Sequence, residues 1–384
     1  MNKSKKKLSP VVRRIIGIAT LALACAATLW FVENYYLMNN DQLGLLQAGF
    51  YMEDEDSLDV VMIGASELYM GYVPAVAYRD YGITSYNYCV QSGPVYLWKY
   101  QVEEILKRQS PQLIIIEVNG ATYDQEGLDR TAPLRIVTDH MPLSMNKINL
   151  VKEHAFEDEL SYIVPLIKYH SNWSDFRTNG KNMLGYMAIK KSGYNLTKGY
   201  MTYLYNVNPG QGMDLTEDYS SVDLYGKSEE YLRDFLEYCK EKDVNVLFIR
   251  YPHIVSPGDR YRRYQCANRI GEIAGEYGYD FLNLDRHFDE IGLDFATDFR
   301  DGEHLNFYGS EKTTDYLIKY CIDNYGLTAT DKSESQTVEW ACCVGYYEKM
   351  RRFYDDNMMY YDVLPEGSPR LADDFVTRTL LEWM

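Results

Sequence analysis

Short, mostly apolar runs recur along the chain, and each stops at a polar or glycine-bearing turn. Val60-Val61-Met62-Ile63 stops at Gly64. Leu113 to Val118 stops at Asn119-Gly120, and Val244 to Ile249 stops at Tyr251-Pro252-His253. Asp280 to Leu284 is a shorter version. Thr84 to Val90 is weaker and ends before Gln91-Ser92-Gly93-Pro94. Runs of this length, bounded by turn residues, are the pattern of strands buried on both faces. Helical periodicity lies between them, at Val73 to Tyr81, Leu97 to Arg108, Glu229 to Lys242, Tyr264 to Tyr277 and Ser310 to Tyr325. In the second of these, Val102, Ile105 and Leu106 share one face. Strands alternating with helices predict an α/β fold: a three-layer parallel sheet of about five strands flanked by helices.

The alternation breaks up from Ala121 to about Ser228. That stretch is polar, tyrosine-rich and dotted with glycine, with one apolar helix candidate at Leu160 to Tyr169. It is expected to form an insertion or cap over 121–228. Thr328 to Thr337 reads as a linker, and Val338 to Met384, rich in Trp, Tyr and Met, as a small helical addition.

The N-terminus follows a different pattern. Lys3, Lys5, Lys6, Lys7, Arg13 and Arg14 precede an uncharged run from Ile15 to Val32, and Glu33 and Asp41 follow it. Such a run approaches the roughly 20 apolar residues that span a bilayer. Basic residues before it and acidic residues after it place the N-terminus in the cytoplasm and the rest outside. A cleaved signal peptide is the alternative. The expected division is a basic tail and transmembrane anchor at 1–32, a main domain at 33–326, and the linker and helical extension at 327–384.

Charge narrows the partners. The 384 residues include 39 basic and 56 acidic side chains, a net charge of −17. Beyond the anchor the balance is more acidic still, which argues against nucleic acid as a partner, because phosphate binding needs a basic face. The 37 tyrosines suit grooves that bind sugars or polar chains. No CxxC, HExxH or phosphate loop is present, so neither metal nor cofactor is expected.

The candidate chemistry follows from topology. Open parallel sheets bind ligands outside the carboxyl ends of their strands. In order, the predicted strands deliver Ser66, Gly93, Asn119, His253 and the loop Asp301-Gly302-Glu303-His304 to that edge. A serine hydroxyl becomes a nucleophile when an imidazole takes its proton and a carboxylate fixes the imidazole's tautomer. His304 has Asp301 three residues earlier; His140, His154, His170, His253 and His287 lack that spacing. Each signal is weak alone, since turn serines and loop histidines are common. Together, after the first and last strands, they predict a Ser66–His304–Asp301 triad. Glu67 and His253 are candidate substrate contacts. Gly64-Ala65-Ser66-Glu67-Leu68 lacks the second glycine of the GxSxG elbow, which argues against an ordinary α/β-hydrolase.

With these residues in this order, the chain resembles the SGNH/GDSL hydrolase superfamily over roughly Asp59 to Gly120 and Val244 to Tyr325. The Gly-x-Ser-Glu-Leu wording and the N-terminal anchor resemble its DltD-like, membrane-anchored branch most. The resemblance implies an SGNH/flavodoxin-like fold and a serine esterase or O-acyltransferase in the bacterial cell envelope. Ser66 would be the nucleophile, Asp301 and His304 its relay, and Ser66, Gly93 and Asn119 the oxyanion hole. The substrate implied is an acetyl or D-alanyl group on a cell-surface polysaccharide or teichoic-acid-like polymer, with a membrane-bound O-acyltransferase as a possible partner. The chain departs from the family where GDS reads Gly64-Ala65-Ser66 and where Gly-x-Asn-Asp reads Glu117-Val118-Asn119-Gly120. A non-catalytic accessory protein that keeps the fold and binds a glycan or an acyltransferase is the alternative.

Overall fold

A computed structural model describes residues 9–37, 42–192, 196–202 and 210–357. The basic residues before Ser9 and the end of the helical addition, 358–384, lie outside the described residues. Five strands form one parallel sheet: β1 (Val60–Ile63), β2 (Ser85–Asn87), β3 (Leu113–Glu117), β4 (Val246–Arg250) and β5 (Asp280–Asn283). Their order is β2-β1-β3-β4-β5. Val61 pairs with Tyr86 on one side and Ile114 on the other, and Ile115 pairs with Leu247.

The strands read as continuous apolar runs because both faces are covered. Val61, Ile63, Ile114, Ile116, Val246 and Phe248 pack on one side with the helices Trp98–Arg108, Gly226–Lys242 and Asp259–Glu276. Val60, Met62, Leu113, Ile115, Leu247 and Ile249 alternate to the other side, against Ser66–Gly71 and Phe307–Tyr325. Each such aliphatic side chain contributes about 1.5–3 kcal/mol on burial.

Most helix limits fall within a few residues of those the sequence predicts. The 121–228 stretch differs. It contains the helices Thr131–His140, Met145–His154 and Phe176–Ser192, and the expected helix at 160–169 is two short ones, Glu159–Ile163 and Pro165–Tyr169. Pro165 lacks an N–H and pushes Val164 out of helical geometry (φ −122°, ψ 87°), which breaks the run. The expected linker at 328–337 is also tied down. Thr330 Oγ1 donates to Asp59 Oδ1 at 2.6 Å, and Lys332 Nζ lies 3.3 Å from the same oxygen. The C-terminal helix begins inside that stretch and runs Glu334–Asn357.

One buried lysine ties distant segments together. Lys198 Nζ pairs with Glu53 Oε2 at 2.6 Å and with Glu339 Oε1, and lies 4.8 Å from the centroid of the Trp340 ring. Its carbonyl accepts the Asn87 N–H at the edge of β2 (3.0 Å).

Many tyrosines serve the core rather than a sugar groove. Tyr72, Tyr86, Tyr88, Tyr251, Tyr346 and Tyr354 are fully buried. Several spend their hydroxyls inside, as Tyr72 on Ser85 (2.9 Å) and Tyr86 on the Leu46 carbonyl (2.8 Å). At the N-terminus, Pro10–Tyr36 is one 27-residue helix, long and apolar enough to cross a membrane, and its apolar side chains lie exposed.

Candidate active site

β1 lies between β2 and β3, where the strand order reverses direction, so a ligand crevice is expected at the carboxyl ends of β1 and β3. Gly64 lets β1 end there: a Cβ on it would lie 2.7 Å from the Glu117 Cβ. Ala65 is extended, and Ser66 opens the short helix Ser66–Gly71. Among the described residues no acceptor takes the Ser66 N–H.

The facing loop is held from several sides. Phe299 and Leu305 bridge antiparallel, and the Arg300 N–H donates to the His304 carbonyl (2.9 Å). Asp301 Oδ1 accepts the N–H groups of Glu303 (2.8 Å) and His304 (3.0 Å). Asn306 caps the next helix by accepting from Tyr308 and Gly309, a cap of about 1 kcal/mol. The Ile254 N–H binds the Gly302 carbonyl at 3.0 Å, which fastens the loop to the segment after β4.

This framework brings Ser66, His304 and Asp301 together. His304 Nδ1 lies 2.9 and 3.1 Å from the Asp301 oxygens, and Nε2 lies 2.9 Å from Ser66 Oγ. An ionised carboxylate only accepts, so Nδ1 carries the proton and the neutral ring offers the Nε2 lone pair to the serine hydroxyl. Burial opposes the charge on Asp301, but the hydrogen bond and charge of His304 outweigh it and hold the carboxyl at about 2. Burial likewise opposes charge on His304, yet Asp301, with help from Glu67, raises its pKa above the ordinary value.

A second acid–imidazole pair adjoins the first. Glu67 is buried beside the nucleophile, with Oε2 3.3 Å from Ser66 Oγ as a second, more distant acceptor for the one hydroxyl proton that His304 Nε2 takes at 2.9 Å, and Oε1 accepting from Asn119 Nδ2 at 2.5 Å. His253 Nε2 lies 3.9 Å from Glu67 Oε1. Its Nδ1 donates to the Tyr251 carbonyl at 2.6 Å, which leaves Nε2 toward Glu67. Burial would raise Glu67, but His253 and then His304 hold it at about 2. Glu117 behaves oppositely: burial, then the charge of Glu67, pushes it well above the carboxylate range, while its Oε1 accepts the Asn119 N–H at 2.9 Å. Two neighbouring carboxyls are thus driven apart, one held low beside the serine and one pushed up beneath it.

Asn119 sits between these groups, its Oδ1 accepting from Thr122 Oγ1 (3.1 Å) and one amide hydrogen taken by Glu67. Gly93 differs from expectation. Its N–H, predicted as an oxyanion donor, is taken by the Val90 carbonyl at 2.9 Å in a tight turn with Ser92 at φ 51°. Its own carbonyl would lie 2.3 Å from a Cβ on Gly120, so that position admits only glycine. Gly82 precedes β2 and lies at the opposite end of the sheet.

Sequence reasoning passed over three supporting groups: Glu117, Arg250 and Asp285. Arg250 and Asp285 form a buried pair (2.6 Å), and Asp285 accepts the His253 N–H (2.6 Å). Glu117 and Arg250 each end an otherwise apolar strand, LIIIE and VLFIR, and that contrast was the available signal. Comparisons with family models, curated proteins and solved structures found no match to the chain.

Proposed function

We propose that this protein is an extracytoplasmic serine acyl-ester hydrolase or O-acyltransferase of SGNH type, tethered by its N-terminal helix and related to the DltD-like branch. The observation that carries the reading is the Ser66–His304–Asp301 relay, each step within hydrogen-bond distance. Ser66 Oγ attacks an ester carbonyl and passes its proton to His304 Nε2. Asp301 holds the resulting imidazolium. The Ser66 N–H and the second Asn119 amide hydrogen are the donors available to the oxyanion; each such donor is worth roughly two to three orders of magnitude in rate. The tetrahedral adduct collapses to an acyl-Ser66 ester as His304 protonates the leaving oxygen. Water or a polymer hydroxyl, deprotonated by His304, then releases the acyl group.

The acyl group transferred is acetyl or D-alanyl, as the resemblance implies. A cell-surface polymer fits as substrate, and a membrane-bound O-acyltransferase as partner, because the anchor holds the domain at the bilayer. Basic residues before the uncharged run Ile15–Val32 and Glu33 after it support a cytoplasmic N-terminus. An impermeant maleimide on intact cells carrying Tyr219→Cys checks this, and protection of that exposed site would reverse the topology.

The full chain is expected to label with a fluorophosphonate, and Ser66→Ala to abolish labelling. Absence of labelling, or labelling that survives the substitution, leaves the accessory-protein reading in its place.

A further inference from the structure

We propose that the arm formed by residues 165–192 lies flat on the anionic bilayer surface from which the anchor emerges, as a second membrane contact. The inference rests on the proposed insertion of the Pro10–Tyr36 helix. The arm packs on the end of that helix: Tyr36 Oη donates to the Trp173 carbonyl (3.0 Å), and Tyr35 and Tyr186 meet edge to face at 5.6 Å. Several of its apolar side chains lie exposed. Trp173 is 61% exposed, Phe176 67% and Leu184 64%, and Met187 is also exposed. Phe176, Leu184 and Met187 are eight and eleven residues apart along the Phe176–Ser192 helix, which puts them on one face.

Charge points the same way. The sequence of 165–192 carries Lys168, Arg177, Lys181, Lys190 and Lys191 against a single acid, Asp175, in a chain whose net charge is −17. Exposed aromatic and aliphatic side chains interleaved with lysine and arginine, preceded by a tryptophan, are a composition that settles at the headgroup boundary of anionic lipid. Exposed apolar side chains are costly to leave in water, and the membrane is the surface that continuity with the anchor supplies. An arm bound in this way fixes the tilt of the domain above the bilayer, which a single flexible tether does not.

The test uses the full chain reconstituted in vesicles containing brominated lipid, with anionic or purely zwitterionic headgroups. The fluorescence difference between the parent and Trp173→Phe isolates Trp173, and Trp30→Phe isolates the tryptophan within the anchor. Expected are quenching of Trp30 in both lipids and quenching of Trp173 by about twofold or more in the anionic vesicles, reduced in the Phe176→Glu/Leu184→Glu variant. Quenched Trp30 with unquenched Trp173 overturns the inference while the anchor stands, and leaves water or a protein as the arm's covering. Neither quenched overturns the anchor and the arm together. Equal quenching of Trp173 in both lipids overturns the electrostatic half of the argument.

Discussion

The two ends of the sheet each bury a carboxylate, and the two carboxylates are used differently. Asp59, at the amino end of β1, is 2% exposed, and Glu67, past its carboxyl end, is 4% exposed. Asp59 is saturated. Thr84 reaches it through both N–H and hydroxyl at 2.9 Å, and Gln112, Thr330 and Lys332 add three further donors. Glu67 accepts from one amide and lies 3.3 Å from the hydroxyl of Ser66, a neighbour whose proton leaves whenever the serine reacts. Equal burial therefore does not mean equal role: a carboxylate with every lone pair taken by structural donors fastens segments, whereas one with a labile donor remains open to a reaction.

If this contrast holds, substitutions at the carboxyl end cost reactivity with little loss of stability, and those at the amino end do the reverse. Beyond Ser66→Ala, the largest effect is expected for Asp301→Asn: a fall of roughly three to four orders of magnitude in the fluorophosphonate labelling rate, since the imidazole loses its tautomer. The pH profile comes next. His304 must be neutral to accept the serine proton, and Asp301 raises its pKa. Labelling should therefore fall as pH drops through a midpoint above the free value of about 6.5. The same upward shift means the ion pair's stabilisation is complete below that free value and is lost as pH rises through the folded one. A midpoint below the free value would contradict the pairing. His253→Gln removes the imidazole 3.9 Å from Glu67 and should slow labelling by about tenfold, less than Asp301→Asn, because His253 does not touch the serine. Asp59→Asn should leave the labelling rate unchanged but lower unfolding free energy by about 1–3 kcal/mol in urea titrations, because buried donors then face an amide N–H. Loss of labelling in folded Asp59→Asn would erase the distinction between the two ends.

How far the sequence reveals all this depends on how local the cause is. β1, β3 and β4 are legible because strands buried on both faces must be apolar at every position. Ser66 and His304 are legible as a pair because parallel topology sends every strand's carboxyl end to one edge. The Gly93 turn is not, since whether an N–H points at a ligand or back at Val90 depends on one φ angle at Ser92. The helices at 131–154 are hidden because they are short and bury mixed side chains, such as Asn146 on the Tyr100 carbonyl (2.9 Å) and His154 stacked on Tyr96 (4.1 Å). The tyrosines mislead for a related reason: composition counts them, but only packing tells a core hydroxyl from a groove.

Lys198 also bears on the order in which the chain can finish itself. Its two carboxylate partners lie 145 residues before it and 141 residues after it. During synthesis Glu53 and Lys198 emerge long before Glu339, so the ammonium has one carboxylate partner until the last helix supplies the second and covers it with Trp340. The segment around Lys198 is therefore completed only when the last helix packs on it. The protein is, in effect, latched from its C-terminus: a chain released early, or clipped before Glu334, would keep its sheet strands but leave the latch open.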